Sequence, residues 1–275
     1  MCVIYACHSA VPTEEELTLG AECNTDGAGV AWIDKFNTKE AAVHWIKGLP
    51  STAKAVLDTI EENKLSYPLM IHYRTASIGG KSADLTHPFP ITDKLESSVT
   101  GHTRRVLMHN GHIASWKEWF KPITFAAPDF EIPHGPWSDS RALAAAVNIK
   151  GEGVLEFIIE GSRVVVLDAI ASSGYKKSDP KSYLRMYGSW LEKEGWYQSV
   201  ETRPKVTVYQ GPASGDEWRK RSHCHISSKK EDSSKSFSAA PTPIHAENTW
   251  TVDELEGLIS TLRKEQNEAC ILLGV

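Results

Sequence analysis

Short β-rich runs alternate with helical patterns along the first two-thirds of the chain, without any repeat, and this alternation predicts a mixed α and β globule. Leu69-Met70-Ile71 leads into His72-Tyr73-Arg74 as a strand does. Arg105-Val106-Leu107-Met108-His109 reads as a second strand, closed by the turn signal Asn110-Gly111. Ala53, Val56, Leu57 and Ile60 recur at helical spacing, and Ser138-Asp139-Ser140 precedes an Ala/Leu-rich helix through Val147. Arg163 to Ala169 and Lys205 to Gln210 read as further strands. The pattern changes near Ser227, which sets three segments: a domain over 1–226, a flexible Ser/Lys/Pro-rich linker over 227–248 and an amphipathic C-terminal helix over 249–275. That helix opens on the capping box Thr251-Val252-Asp253-Glu254 and carries Leu255, Leu258, Ile259 and Leu262 as an apolar stripe. The stripe can pack on the domain, on a second copy in a homo-oligomer, or on another protein.

Composition removes function classes without naming one. At 275 residues, 41% hydrophobic and 24% charged, the chain has an ordinary globular make-up and can bury a large core. A net charge of -5 argues against coating nucleic acid or an anionic membrane. Five cysteines, Cys2, Cys7, Cys23, Cys224 and Cys270, make no CxxC pair and leave an odd count, which fits reduced thiols and a cytoplasmic location. The start has neither a basic run nor a long apolar stretch, and no segment reaches the ~20 apolar residues of a membrane span.

Cys2 is the first candidate for chemistry. A small second residue permits removal of the initiator Met, which leaves thiol and α-amine on one residue. The amine, with a reference pKa of about 7.7–8.0, can take the thiol proton directly or through one water. Arg74 offers a planar fork for a substrate α-carboxylate, and Asp139 can pair with an α-ammonium. Asn110 can donate its side-chain amide, and Gly111 its backbone N–H, to the oxyanion of a tetrahedral intermediate. Together these are the groups that hydrolysis of glutamine through a thioester requires. Singly, each has an ordinary explanation: Cys2 as a small buried hydrophobe, Arg74 in a structural ion pair, Asn110-Gly111 turning a hairpin, Asp139 capping its helix.

The ordered set resembles the class II glutamine amidotransferases of the N-terminal-nucleophile hydrolase superfamily. The resemblance runs over roughly residues 2–210, through Met1-Cys2, the Asn24-to-Trp32 segment with its Asp-x-x-Gly-hydrophobic pattern, His72-Tyr73-Arg74-Thr75-Ala76-Ser77-Ile78-Gly79, His87-Pro88-Phe89, His109-Asn110-Gly111-His112-Ile113 and Ser138-Asp139-Ser140. It implies an α+β fold, a four-layer αββα sandwich of two mostly antiparallel sheets with helices on both outer faces. It also implies that Cys2 is the nucleophile, Arg74 and Asp139 bind glutamine, Asn110 and Gly111 form the oxyanion hole and Ser77 lines the pocket, with no cofactor and no metal. The chain departs from the family pattern at Val3, where many members have Gly, at Ile78, where the sugar-phosphate synthases have His, and at Arg141, where a Glu is common.

After residue 210 too little chain remains for an acceptor-binding domain, so either ammonia would go to a separate synthetase partner or the enzyme would be a simple amidohydrolase. An amidase of γ-glutamyl conjugates uses the same clamps with a roomier leaving-group side, and a non-catalytic scaffold could keep the fold. Three other motifs are set aside. Gly80-Lys81-Ser82 imitates the end of a phosphate loop, but Thr75 stands where that motif requires Gly. His223-Cys224-His225 has no second ligand pair at zinc spacing, and Arg219-Lys220-Arg221 reads as a solvated tail.

Overall fold

Period-two alternation along the strands sorts their side chains into three apolar layers, and those layers fix the architecture of the computed structural model. It describes residues 2–202, apart from 37, 78–79, 94–97, 126, 128–129, 131–134, 160 and 173–175. The strand read at Lys205–Gln210, the His223-Cys224-His225 cluster, the linker and the C-terminal helix lie outside the described residues.

One sheet has seven strands: β1 (Val3–Cys7), β2 (Ala28–Asp34), β3 (Ala42–Leu49), β4 (Leu69–Tyr73), β6 (Thr100–Thr103), β10 (Leu191–Lys193) and β11 (Trp196–Gln198), in the spatial order β10-β11-β1-β4-β2-β3-β6. The other has four: β5 (Phe89–Pro90), β7 (Arg105–Asn110), β8 (Arg163–Asp168) and β9 (Leu184–Tyr187), ordered β5-β7-β8-β9. Every pairing is antiparallel. Four helices matter to the layering: α1 (Glu14–Cys23), α2 (Ala53–Glu62), α3 (Trp116–Phe125) and α4 (Asp139–Lys150).

Val3, Tyr5 and Cys7 of β1 join Val30, Ile71 and Tyr73 against Leu17 and Ala21 of α1 and Ala53 and Val56 of α2. Their alternates, Ile4, Ala6, Ala31, Ile33 and Met70, meet Val106, Met108, Val165 and Leu167 of the second sheet. The opposite face of that sheet, Leu107, Val164 and Val166, packs under Leu143 and Val147 of α4 and Trp116 and Phe120 of α3. The layers are therefore helix, sheet, sheet, helix, the order implied by the resemblance. A fully buried Val, Leu, Ile or Met side chain contributes about 1.5–3 kcal/mol, so three such layers make the alternation the dominant folding constraint.

Local signals agree with this plan. Thr13 caps α1 in a reciprocal capping box with Glu16, and Ser138 caps α4 by accepting from the Arg141 N–H. Helix α4 is buried from Asp139 through Val147, which explains its small Ala-rich face between sheet and α3. One sequence alternative is corrected. Asn110-Gly111 does not turn a hairpin, because the antiparallel partners of β7 are β5, earlier in the chain, and β8, whose Arg163 lies opposite Asn110 but comes only after α3 and α4.

Candidate active site

Strand register brings the distant candidates together. β1 and β4 pair with Val3 opposite Tyr73, so the chain just before β1 lies beside the chain just after β4, and Cys2 meets Thr75. The Thr75 N–H points to the Cys2 Sγ at 3.4 Å, and the Sγ lies 3.5 Å from the Thr75 carbonyl oxygen. β2 flanks the other side of β4: Arg74 N–H donates to Gly27 O at 2.8 Å and Asp26 N–H donates to Arg74 O at 2.9 Å. From the second sheet, Gly111 follows the end of β7, and α4 begins beside it with Asp139.

Cys2, Arg74, Thr75, Ser77, Leu85, His87, His109, Gly111, Ser138, Asp139 and Ser140 line one cavity of about 310 Å³, its open mouth included. Five of the six candidates read from sequence, Cys2, Arg74, Ser77, Gly111 and Asp139, share this cavity. The sixth, Asn110, is fully buried behind the wall, and its Nδ2 donates to Ser199 Oγ at 2.9 Å.

The electrostatics are simple. Of the lining residues only Arg74 and Asp139 carry formal charges, one of each sign. Arg74 is 4% exposed, and its guanidinium donates to the carbonyls of Gly80 at 2.7 Å and Ser82 at 3.4 Å, which ties down the loop after β4. The same loop is held by Asp26, whose carboxylate accepts from Ala76 N–H at 2.8 Å and pairs with Lys81 at 2.6 Å. Burial acts upward on Asp26, but the Lys81 and Ala76 hydrogen bonds outweigh it and hold its carboxyl below the usual range. Asp139 accepts from Ile113 N–H at 3.1 Å and Ser140 N–H at 2.8 Å, so its carboxylate is fixed at the start of α4.

Sequence reading assigned no role in the site to His87, His109, Thr75 or Ser140, which complete the wall with Leu85 and Ser138. His87, His109, Thr75 and Ser140 all stand inside the motifs that carry the resemblance, but none has a spacing or chemistry that by itself assigns a role. His109 Nδ1 lies 2.9 Å from Ser140 Oγ, while its Nε2 and both ring nitrogens of His87 are buried with no hydrogen-bond partner among the described residues. Burial drives His87 well below the ordinary histidine value and lowers His109 to about 4, so both rings are neutral. Burial likewise pushes the Cys2 thiol up, against the opposing pull of the Thr75 N–H. A thiol so placed reacts only if something nearby takes its proton. Among the described residues no group of three or more His, Cys, Asp or Glu is arranged to hold a metal ion, and no helix is long and apolar enough to cross a membrane.

No family model matches the chain, and no curated protein matches it. Solved structures do. One is the allosteric regulatory enzyme of purine biosynthesis, 17% identical over 62% of this chain and 36% of that one, with a TM-score of 0.38. Another is the glutamine phosphoribosylpyrophosphate amidotransferase of B. subtilis complexed with ADP and GMP, 15% identical over 61% of this chain and 35% of that one, with a TM-score of 0.39. The match thus spans little more than a third of either protein. The layer order rests on the chain's own core and not on these likenesses.

Proposed function

We propose that the protein hydrolyses the side-chain amide of glutamine to glutamate and ammonia, with Cys2 as nucleophile. The observation that carries this reading is the charge pattern of the cavity. One guanidinium and one carboxylate line the same cavity as a thiol, and a free α-amino acid presents the complementary carboxylate and ammonium. Arg74 then holds the α-carboxylate and Asp139 the α-ammonium, which leaves the side-chain amide to reach Cys2.

Removal of Met1 frees the Cys2 α-amine, which takes the thiol proton as sulfur attacks the amide carbon. The carbonyl π pair moves to oxygen, and the oxyanion accepts from the Gly111 N–H and the Asn110 side chain. Collapse breaks the C–N bond, the proton held by the amine passes to the leaving nitrogen, and ammonia departs. Water then adds to the thioester and releases glutamate and the thiol.

The test begins with intact mass, which should lack Met1. A glutamine-like diazoketone should add to Cys2, and ammonia release from glutamine should vanish in Cys2→Ala while the fold persists. Retained Met1 with no adduct would refute the catalytic reading in favour of a scaffold. Release of larger amines in preference to ammonia would move the substrate to γ-glutamyl conjugates.

A further inference from the structure

The residue that the cavity leaves out, Asn110, points to a second device. Its side chain is fully buried, with Nδ2 directed at Ser199 Oγ at 2.9 Å, and Oδ1 has no partner among the described residues. Ser199, itself 2% exposed, follows β11 and is tied to β1 twice: its N–H donates to Ile4 O at 3.0 Å, and its Oγ accepts from Ile4 N–H at 2.9 Å. Ile4 is two residues from Cys2.

Taken at face value, this arrangement wastes two buried groups. Ser199 Oγ accepts from both Ile4 and Asn110, so among the described residues its own proton meets no acceptor while Asn110 Oδ1 meets no donor. Nitrogen and oxygen of a carboxamide occupy nearly the same space, and their assignment follows from hydrogen-bond accounting. Turning the Asn110 amide by half a revolution lets Ser199 O–H donate to Oδ1 and still accept from Ile4. Of these two side chains, the one atom still unmet among the described residues is then Nδ2, a donor. A carbonyl oxygen in that place would repel a forming oxyanion, whereas an NH2 group stabilises it.

We propose that Ser199 is a positioning residue, whose hydroxyl proton selects the Asn110 amide orientation that turns NH2 toward the oxyanion. This rests on the glutaminase reading above. Ser199 touches no substrate; it acts through Asn110 and is anchored to the strand that carries the nucleophile.

The test is a cycle of steady-state glutaminase measurements on the full chain. Ser199→Ala is expected to lower kcat about 10–100-fold with KM within about threefold, because the freed amide also samples its wrong orientation. Asn110→Ala costs more, about 100–1,000-fold, and adding Ser199→Ala to it costs nothing further. Ser199→Thr and Ser199→Val share one shape and differ by a hydroxyl; Thr should recover most of kcat and Val should not. The proposal is overturned if Ser199→Ala keeps wild-type kcat, if the Ser199 and Asn110 losses multiply, or if the Val variant is as fast as the Thr variant. Failure of the parent reading has another signature: wild type and Cys2→Ala would then release ammonia alike, and the Ser199 role would fall with it.

Discussion

The buried imidazole at the cavity wall makes an acid-stability prediction that needs no knowledge of substrate. His109 is 2% exposed, and burial lowers its pKa from 6.5 to about 4. The folded state therefore refuses a proton that the unfolded chain accepts below pH 6.5, so stability is full above that value and is lost as pH falls toward 4. A tenfold difference in proton affinity corresponds to about 1.4 kcal/mol, so His109 alone costs the fold ~3 kcal/mol by the end of that window and ~2 kcal/mol by pH 5. His72 and His87, both driven well below the ordinary value by burial, act with the same sign. Replacing His109 by Asn keeps a polar group where Nδ1 meets Ser140 and removes the titrating ring. Urea unfolding of wild type and His109→Asn, compared at pH 7 and pH 5, should bring the two curves closer by ~2 kcal/mol at the lower pH, whatever fixed cavity cost the variant carries. A difference that stays constant to within about 0.5 kcal/mol would show that the ring takes up its proton in the folded protein as freely as in the unfolded chain.

Two further outcomes are expected. Arg74→Lys removes the planar fork and should raise the KM for glutamine ~10–100-fold, the equivalent of one charge-assisted hydrogen bond of about 1.5–3 kcal/mol, with kcat changing less; an unchanged KM would take Arg74 out of substrate binding. Gly29 in β2 has the His87 carbonyl oxygen where a Cβ would lie, and because that obstacle is backbone it cannot swing aside. Gly29→Ala should therefore cost about 1–3 kcal/mol and lower Tm by roughly 3–10 °C in a thermal melt, whereas an unchanged Tm would mean the strand and the His87 segment separate freely.

What the sequence disclosed and what it hid divide along physical lines. Strands β4, β7 and β8 and helices α2 and α4 were legible because each carries a long apolar run or a clean helical stripe, and such periodicity survives without tertiary context. Helix α1 escaped although its capping box, Thr13 to Glu16, lay in plain view, because its apolar residues are few and interleaved with acids. The three- and four-residue strands β9, β10 and β11 are too short to show a period. At the site, Cys2, Arg74, Gly111 and Asp139 were readable because in combination they supply the groups of one reaction, and Ser77 only through the family motif in which it stands; the structure lines one cavity with all five. Ser199 was not: a serine beyond a short strand has no local signature, and its meaning comes from a hydrogen bond to a residue 89 positions away.

Register ties these observations into one mechanism of placement. Along β7 the alternation sends Val106 and Met108 between the sheets and Leu107 toward α4, so His109 continues the helix side and meets Ser140 while Asn110 continues the inner side and meets Ser199. Along β1 the inner positions are Ile4 and Ala6, and Cys2 extends the same parity at the strand's start. Thiol and amide thus approach from two different sheets across the interlayer they share, and Ser199 spans the gap by bonding to both strands. A one-residue slip of either strand would exchange the inner and outer sets and send Asn110 to the helix side, at the cost of turning Val106 and Met108 out of the central core. The apolar layers that hold the sheets together are therefore also what keeps the amide on the side of the thiol, so the geometry of the site is specified by the packing of residues that never touch it.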